Sequence, residues 1–266
     1  MRWWCSAQNT AWTWEWRPYP GVWLFVIAVG FAIWHWNRVG ARRAGNPPEP
    51  LHPLSVLGLL VLWLALDWPI GALGAGYLAS IHMLQFQLIA LIAAPFLLRG
   101  ISRDALALLR DESAIARLVK RLTAPLPALV TLNVSVLLTH IPGIVDSLMA
   151  TQIGSFLIDI VWLLGGLIFW WPIVVSVPER PRFVPALQIG YLVLGLMFSP
   201  VMFGVSAFLV YSQHPLFGTY ELAPPIGALT SKNDHVIAGL LMSVGGSVIA
   251  FIALSKIFFD WSKREG

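Results

Sequence analysis

Apolar residues run along this chain in long blocks separated by short polar stretches. Seven blocks approach the length of a membrane-crossing helix, which needs about 20 residues at 1.5 Å each. They cover residues 22–36, 53–68, 77–98, 126–140, 153–177, 184–211 and 235–259. The second and fourth are short, and their ends are open in both directions. Alternation with a period of two is absent, which argues against a β-barrel. The pattern predicts an all-α integral membrane protein with seven transmembrane helices.

One polar stretch has a helical pattern of its own. In "GISRDALALLRDESAIARLVKRLTAP" the residues Leu106, Leu109, Ile115, Leu118, Val119 and Leu122 recur at helical spacing against Arg and Lys. This predicts an amphipathic helix lying on the inner membrane face within the loop 100–124, in contact with anionic lipid. "ARRAGNPPEP" reads as a short polar turn. No internal repeat and no long linker divides the chain, so residues 1–266 form a single membrane domain.

Composition agrees with the pattern. Hydrophobic residues make up 58% of the chain and charged residues 11%, against roughly 25% charged in soluble domains. The net charge of +4 is no sign of nucleic-acid binding, because the basic residues sit at membrane edges. Cys5 is the single cysteine, which excludes an intrachain disulfide and a cysteine metal cluster. The first 20 residues carry Trp3, Trp4, Trp12, Trp14 and Trp16 and no compact apolar run with a small-residue cleavage site. They read as a retained outer tail, anchored by indoles in the headgroup layer.

Lys and Arg orient the bundle, because cytoplasmic loops collect them. With the N-terminus outside and the C-terminus inside, every Lys and Arg falls on the inner side except Arg2, Arg17 and Lys232. That topology places His82, His140, His214 and His235 toward the outer face and His35 and His52 toward the inner one. Asp67, Asp146, Asp159 and Asp234 join the outer group, with Met83, Met149, Met202 and Met242 nearby. Imidazole and thioether together suit copper, and thioether suits Cu(I) in particular.

Each residue also has an ordinary structural role open to it. His82 can serve as a hydrogen-bonding link between helices. His140, before Ile141 and Pro142, can cap helix carbonyls. His214 reads as solvated, and Asn233 or Asp234 as an N-cap beside His235. Asp159 in a membrane helix needs a partner or water. Methionines are more often packing than ligands. Phosphate-binding, serine-hydrolase, bis-histidine haem and transporter patterns are absent.

Six landmarks, in order along nearly the whole chain, resemble the seven-helix cytochrome c oxidase assembly factor CtaG family. They are "WEWRPYPGVWL", "LALDWPIGAL", "HMLQFQLIALIAAPFLLRG", "THIPGIVDSLM", "GLIFWWPIV" and "NDHVIAGLLM". The resemblance implies a multi-pass protein of the bacterial inner (plasma) membrane. Its implied role is assembly of a haem-copper oxidase, with oxidase subunits as partners, copper handled at the outer face, and no enzymatic activity. The family's His-Met-x-x-His pattern keeps His82 and Met83 here but has Phe86 in the last place. Two further family histidines fall on Ser155 and Asp159, whereas His140 and Asp234 match. The metal-ligand set implied here is His82, Met83, His140, Asp159 and His235. The alternative is a CtaG-like accessory subunit of a respiratory or other membrane complex that no longer binds metal.

Overall fold

The computed structural model describes residues 2–110, 113–176 and 183–265. Among them every regular element is helical. Five helices are long and apolar enough to cross a membrane: α1 (Pro20–Ala44), α4 (Ala79–Arg99), α9 (Gln152–Val174), α10 (Pro185–Tyr211) and α12 (Ser231–Arg264). Two bent pairs bring the number to seven if each counts as one span. In the first, α2 (Pro53–Leu66) meets α3 (Ile70–Gly76) at 45°. In the second, α6 (Ala114–Leu122) meets α7 (Pro125–Leu138) at 77°. The remaining short helices are α5 (Arg103–Ala107), α8 (Pro142–Met149) and α11 (Gly218–Glu221).

The two short apolar blocks thus fall on 14-residue helices whose partners turn away. The cause lies in the breakers. Asp67 ends α2 just before Pro69, which cannot continue the hydrogen-bond ladder. Thr123 and Ala124 end α6 before Pro125 opens α7. The last apolar block reaches further than its pattern, starting at Ser231 and running on to Arg264. Val177, Arg180 and Arg182, which the sequence reading places at an inner edge, lie outside the described residues.

The amphipathic stretch is not one continuous helix. It forms α5, a 3₁₀ turn over Leu108–Arg110, and α6. Ile115, Leu118 and Leu122 of α6 stay exposed, the face a helix lying on lipid would present.

The core is built around α4, which packs on α2, α9 and α12. Two thirds of its apolar window is buried (67%), against 22% for α1. Gly166 of α9 brings that backbone against Ala90 of α4, where a Cβ has no room. Three long helices relax into π-helical turns: α4 over Gln87–Ala93, α10 over Val193–Met197 and α12 over Leu241–Gly245. Such turns free carbonyls from the ladder. Gln87 donates to one of them, the Leu241 carbonyl, and so ties two of these turns together.

Candidate functional site

The histidine-rich end of the bundle is a buried polar cluster. His82, His140, Asp159, Asp234 and His235 are each at most 7% exposed. In an apolar bundle each buried polar atom needs a partner, because an unmade hydrogen bond costs about 1–3 kcal/mol. Following those partners separates the groups that hold the fold together from the groups left over.

Asp234 holds the fold. Its carboxylate accepts from the amides of Ala79 (2.6 Å) and Ser80 (3.2 Å), and from the Ser80 hydroxyl. It thereby caps the start of α4, where Leu78 has no capping side chain. The N-cap of its own helix is Thr230, whose hydroxyl accepts from the Asn233 amide at 3.2 Å. The expectation that Asn233 or Asp234 caps α12 is therefore corrected.

Asp159 also has its partners. It accepts from the Trp4 indole at 2.8 Å and from the Gln85 amide at 3.1 Å. These two donors give each carboxylate oxygen one hydrogen bond. Trp4 comes from the tail, which divides in two. Residues 4–6 are buried in the bundle, with Trp4 and Cys5 1% and 2% exposed, and the amides of the exposed Trp3 and of Trp4 donate to Gln152. Trp14 and Trp16 remain on the surface. Burial, aided by the carboxylates of Asp159 and Asp67, raises the Cys5 thiol well above its ordinary pKa of 9.0.

Asp67 accepts from the Trp23 indole at 2.8 Å, and Asp146 from the amides of Gly218 and Thr219. His235 is held at both nitrogens: Nδ1 lies 2.8 Å from the Ser231 carbonyl, and the Phe217 amide donates weakly to Nε2 at 3.4 Å. His214 is exposed, as its loop position predicts.

His82, Met83 and His140 behave differently. His140 Nδ1 lies 2.7 Å from the Val136 carbonyl. A carbonyl only accepts, so Nδ1 carries the proton. In the neutral ring Nε2 then presents a lone pair, 3.2 Å from the Met83 sulfur. Sulfur offers only lone pairs in return. His82, next in the chain to Met83, makes no hydrogen bond of good geometry at either nitrogen. The Gly74 carbonyl, which also accepts the Tyr220 hydroxyl at 2.7 Å, lies near the ring and is the backbone group that faces it. The His82 ring rests 4.6 Å from Trp162 and 5.7 Å from Tyr220, centroid to centroid.

Among the described residues no three His, Cys, Asp or Glu side chains converge as a metal centre. A set of two imidazoles and a thioether lies outside that pattern. Its chemistry fits a soft monovalent cation, because the lone pairs of His140 Nε2 and Met83 Sδ face each other with no proton between them. Phe86 fills the neighbouring space, 6.2 Å from His140 and 5.5 Å from Trp162.

Tyr220 and Trp162 help form this cluster and were not among the residues the sequence singled out, and Trp4 was expected in the headgroup layer. Tyr220 and Trp4 lie in segments outside the apolar blocks, and nothing in their spacing marks them.

Among the described residues the fold is all-helical, with five to seven helices long and apolar enough to cross a membrane and a buried cluster of nitrogen, sulfur and oxygen donors at one end. Residues 32–264 match the family described as cytochrome c oxidase caa3 assembly factor (Caa3_CtaG). That match covers most of the chain, and the chain belongs to this family. No curated protein and no solved structure matches it.

Proposed function

We propose that this protein serves the assembly of a haem-copper cytochrome c oxidase by holding Cu(I) as cargo between His82, Met83 and His140. The observation that carries this is the pair of lone-pair donors, His140 Nε2 and Met83 Sδ, facing each other at 3.2 Å in a buried site. The buried His82 ring, which feels the charge of His140 and makes no hydrogen bond of good geometry, supports it. The Val136 carbonyl fixes the His140 tautomer, the kind of outer support that ligating histidines receive. Asp159 and His235 flank the site and hold its walls through Trp4, Gln85 and Phe217.

In this reading seven spans place the N-terminus and the histidine end outside and the C-terminus inside, in a bacterial plasma membrane. The distribution of Lys and Arg supports that orientation. The protein positions and protects a metal ion and catalyses no reaction.

Purified protein loaded anaerobically with Cu(I) should retain about one equivalent against a mild chelator. Met83→Leu and His140→Ala should each lower the affinity by roughly 10-fold or more. An unchanged affinity in both variants, or no copper retained by the parent, would remove the proposal.

A structural accessory subunit is the second reading. It is favoured by Phe86, whose ring is packed where the resemblance implies a histidine, and by the engagement of Asp159 with Trp4. It requires stoichiometric co-purification with an oxidase that survives both variants.

A further inference from the structure

The opposite end of the bundle contains a cavity of about 670 Å³ that the copper reading does not use. It opens between α4 and α12, with α9 behind it. Leu91, Ile92 and Phe96 line it from α4, and Ile249, Ile252 and Ala253 from α12. Its volume falls within the range of sites for small organic ligands, roughly 300–1,000 Å³. Its rim carries Arg99, Lys256 and Arg264, with Asp260 as the acid among the lining residues.

Asp260 is already paired with Lys256 at 2.8 Å. Arg99 is exposed at the end of α4 and makes no ion pair among the described residues. The rim therefore holds more positive charge than its own acid neutralises. From the Arg99 level to Leu91, α4 descends eight residues, about 12 Å at 1.5 Å per residue. One leaflet's hydrocarbon is roughly 15 Å deep, half of a 30 Å core.

We propose that this cavity is a binding site for an anionic diacyl phospholipid. The acyl chain lies along the apolar wall formed by α4 and α12. The phosphate group lies at the rim, against Arg99 and Arg264. Charge complementarity selects the headgroup, as in basic pockets between membrane helices, and the depth of the apolar wall selects a lipid tail. The inference is independent of the copper site, which lies at the other end of α4.

Full-length protein, delipidated in a neutral detergent, is offered phosphatidylglycerol and phosphatidylcholine of identical chains. Native mass spectrometry then reads the bound species. Phosphatidylglycerol should be preferred, by about fivefold for each rim cation and roughly thirtyfold for the two arginines together. Arg99→Gln with Arg264→Gln should abolish the preference. Ile252→Trp should displace both lipids while the rim stays intact, and retained Cu(I) or circular dichroism should show each variant still folded.

Equal retention of the two lipids by the parent would overturn the proposal. So would a preference unchanged in the double variant, or displacement of the lipid by inorganic phosphate, which would show a headgroup-only anion site. Recovery of a neutral isoprenoid in the cavity, with no phospholipid competing, would likewise overturn it.

Discussion

The two ends of α4 meet the same problem, polar groups next to hydrocarbon, and solve it in opposite ways. At the Ala79 end the polar side chains turn inward, are buried, and bind one another: Asp234 to Ser80, Asp159 to Trp4 and Gln85. At the Arg99 end the basic residues stay on the rim, exposed, and the space between the helices is lined mostly by apolar side chains, aliphatic and aromatic. An inward network is costly to break, because each lost partner strands a buried atom. A rim of exposed charge is cheap to alter, because water or headgroups replace whatever is removed. The difference teaches where function can hide. At the first end the proposed site lies in the groups the network leaves over, and at the second in the gap the charges surround.

The largest effect should come from Trp4→Ala. The indole is 1% exposed, and its N–H is one of two donors to Asp159. Removing it leaves a large void and a carboxylate short of a partner. The cost should be about 3–5 kcal/mol, read as a lower midpoint of unfolding in mixed micelles. Trp4→Phe should recover the packing but not the hydrogen bond, and so fall between. A stability loss below about 1 kcal/mol for Trp4→Ala would show that residues 4–6 lie on the bundle without being part of it.

Asp234→Ala should follow. Three donors at the start of α4 lose their acceptor, the loss of a helix N-cap, which costs about 0.5–2 kcal/mol. Asp234→Asn keeps an acceptor oxygen and should recover part of the loss. Because Ser80 lies two residues from His82, slackening there should also weaken Cu(I) retention. Loss of stability with Cu(I) affinity unchanged would separate the cap from the site.

The apolar blocks were legible in the sequence because burial in lipid demands length and hydropathy, and both are written locally. The breaks at Pro69 and Pro125 went unread behind two short blocks with open ends, and the angles of 45° and 77° are not local at all, since packing sets them. The residue types of the site were visible: His82, Met83 and His140 stand out against their apolar neighbours. Their partners were not, because hydrogen bonds such as Trp4 to Asp159 join residues 155 positions apart. Asp234 shows the limit best. Its position beside a helix start suggested a local cap, and its carboxylate instead caps a helix 154 residues away. A single sequence carries no signal for such a pairing.

Alkaline pH should separate the two ends more gently. At the histidine end burial raises the Cys5 thiol and, with the carboxylates of Asp234, Asp146 and Asp159, the Tyr220 hydroxyl above its ordinary 10.0. Both groups hold their protons more tightly in the folded protein than in the unfolded chain. Their contribution is therefore complete below about pH 9 and is lost as pH rises beyond it, because the unfolded state then releases protons the native state keeps. Unfolding midpoints should be flat from pH 7 to pH 9 and decline above. Cys5→Ala should make the onset of that decline later. The same burial should leave Cys5 unlabelled by a maleimide at pH 7, whereas a cysteine placed at the exposed Glu15 should react. If Glu15→Cys is labelled from outside intact cells and Lys263→Cys only after lysis, the proposed orientation stands. The reverse order would invert it.

The smallest effect belongs to the rim. Arg99→Gln removes an exposed charge without an ion-pair partner among the described residues, and nothing in the packed interior loses a contact. Surface changes of this kind usually stay within about 0.5 kcal/mol. In phosphatidylcholine the unfolding midpoint of Arg99→Gln should therefore match that of the parent. In phosphatidylglycerol the parent should gain stability that the variant gains less of, since a ligand bound only by the folded state adds to its stability in proportion to its affinity. That contrast depends on the headgroup alone, with the same protein and the same chain length. A parent and variant stabilised equally by phosphatidylglycerol would mean that the Arg99 end differs from the histidine end only in being open.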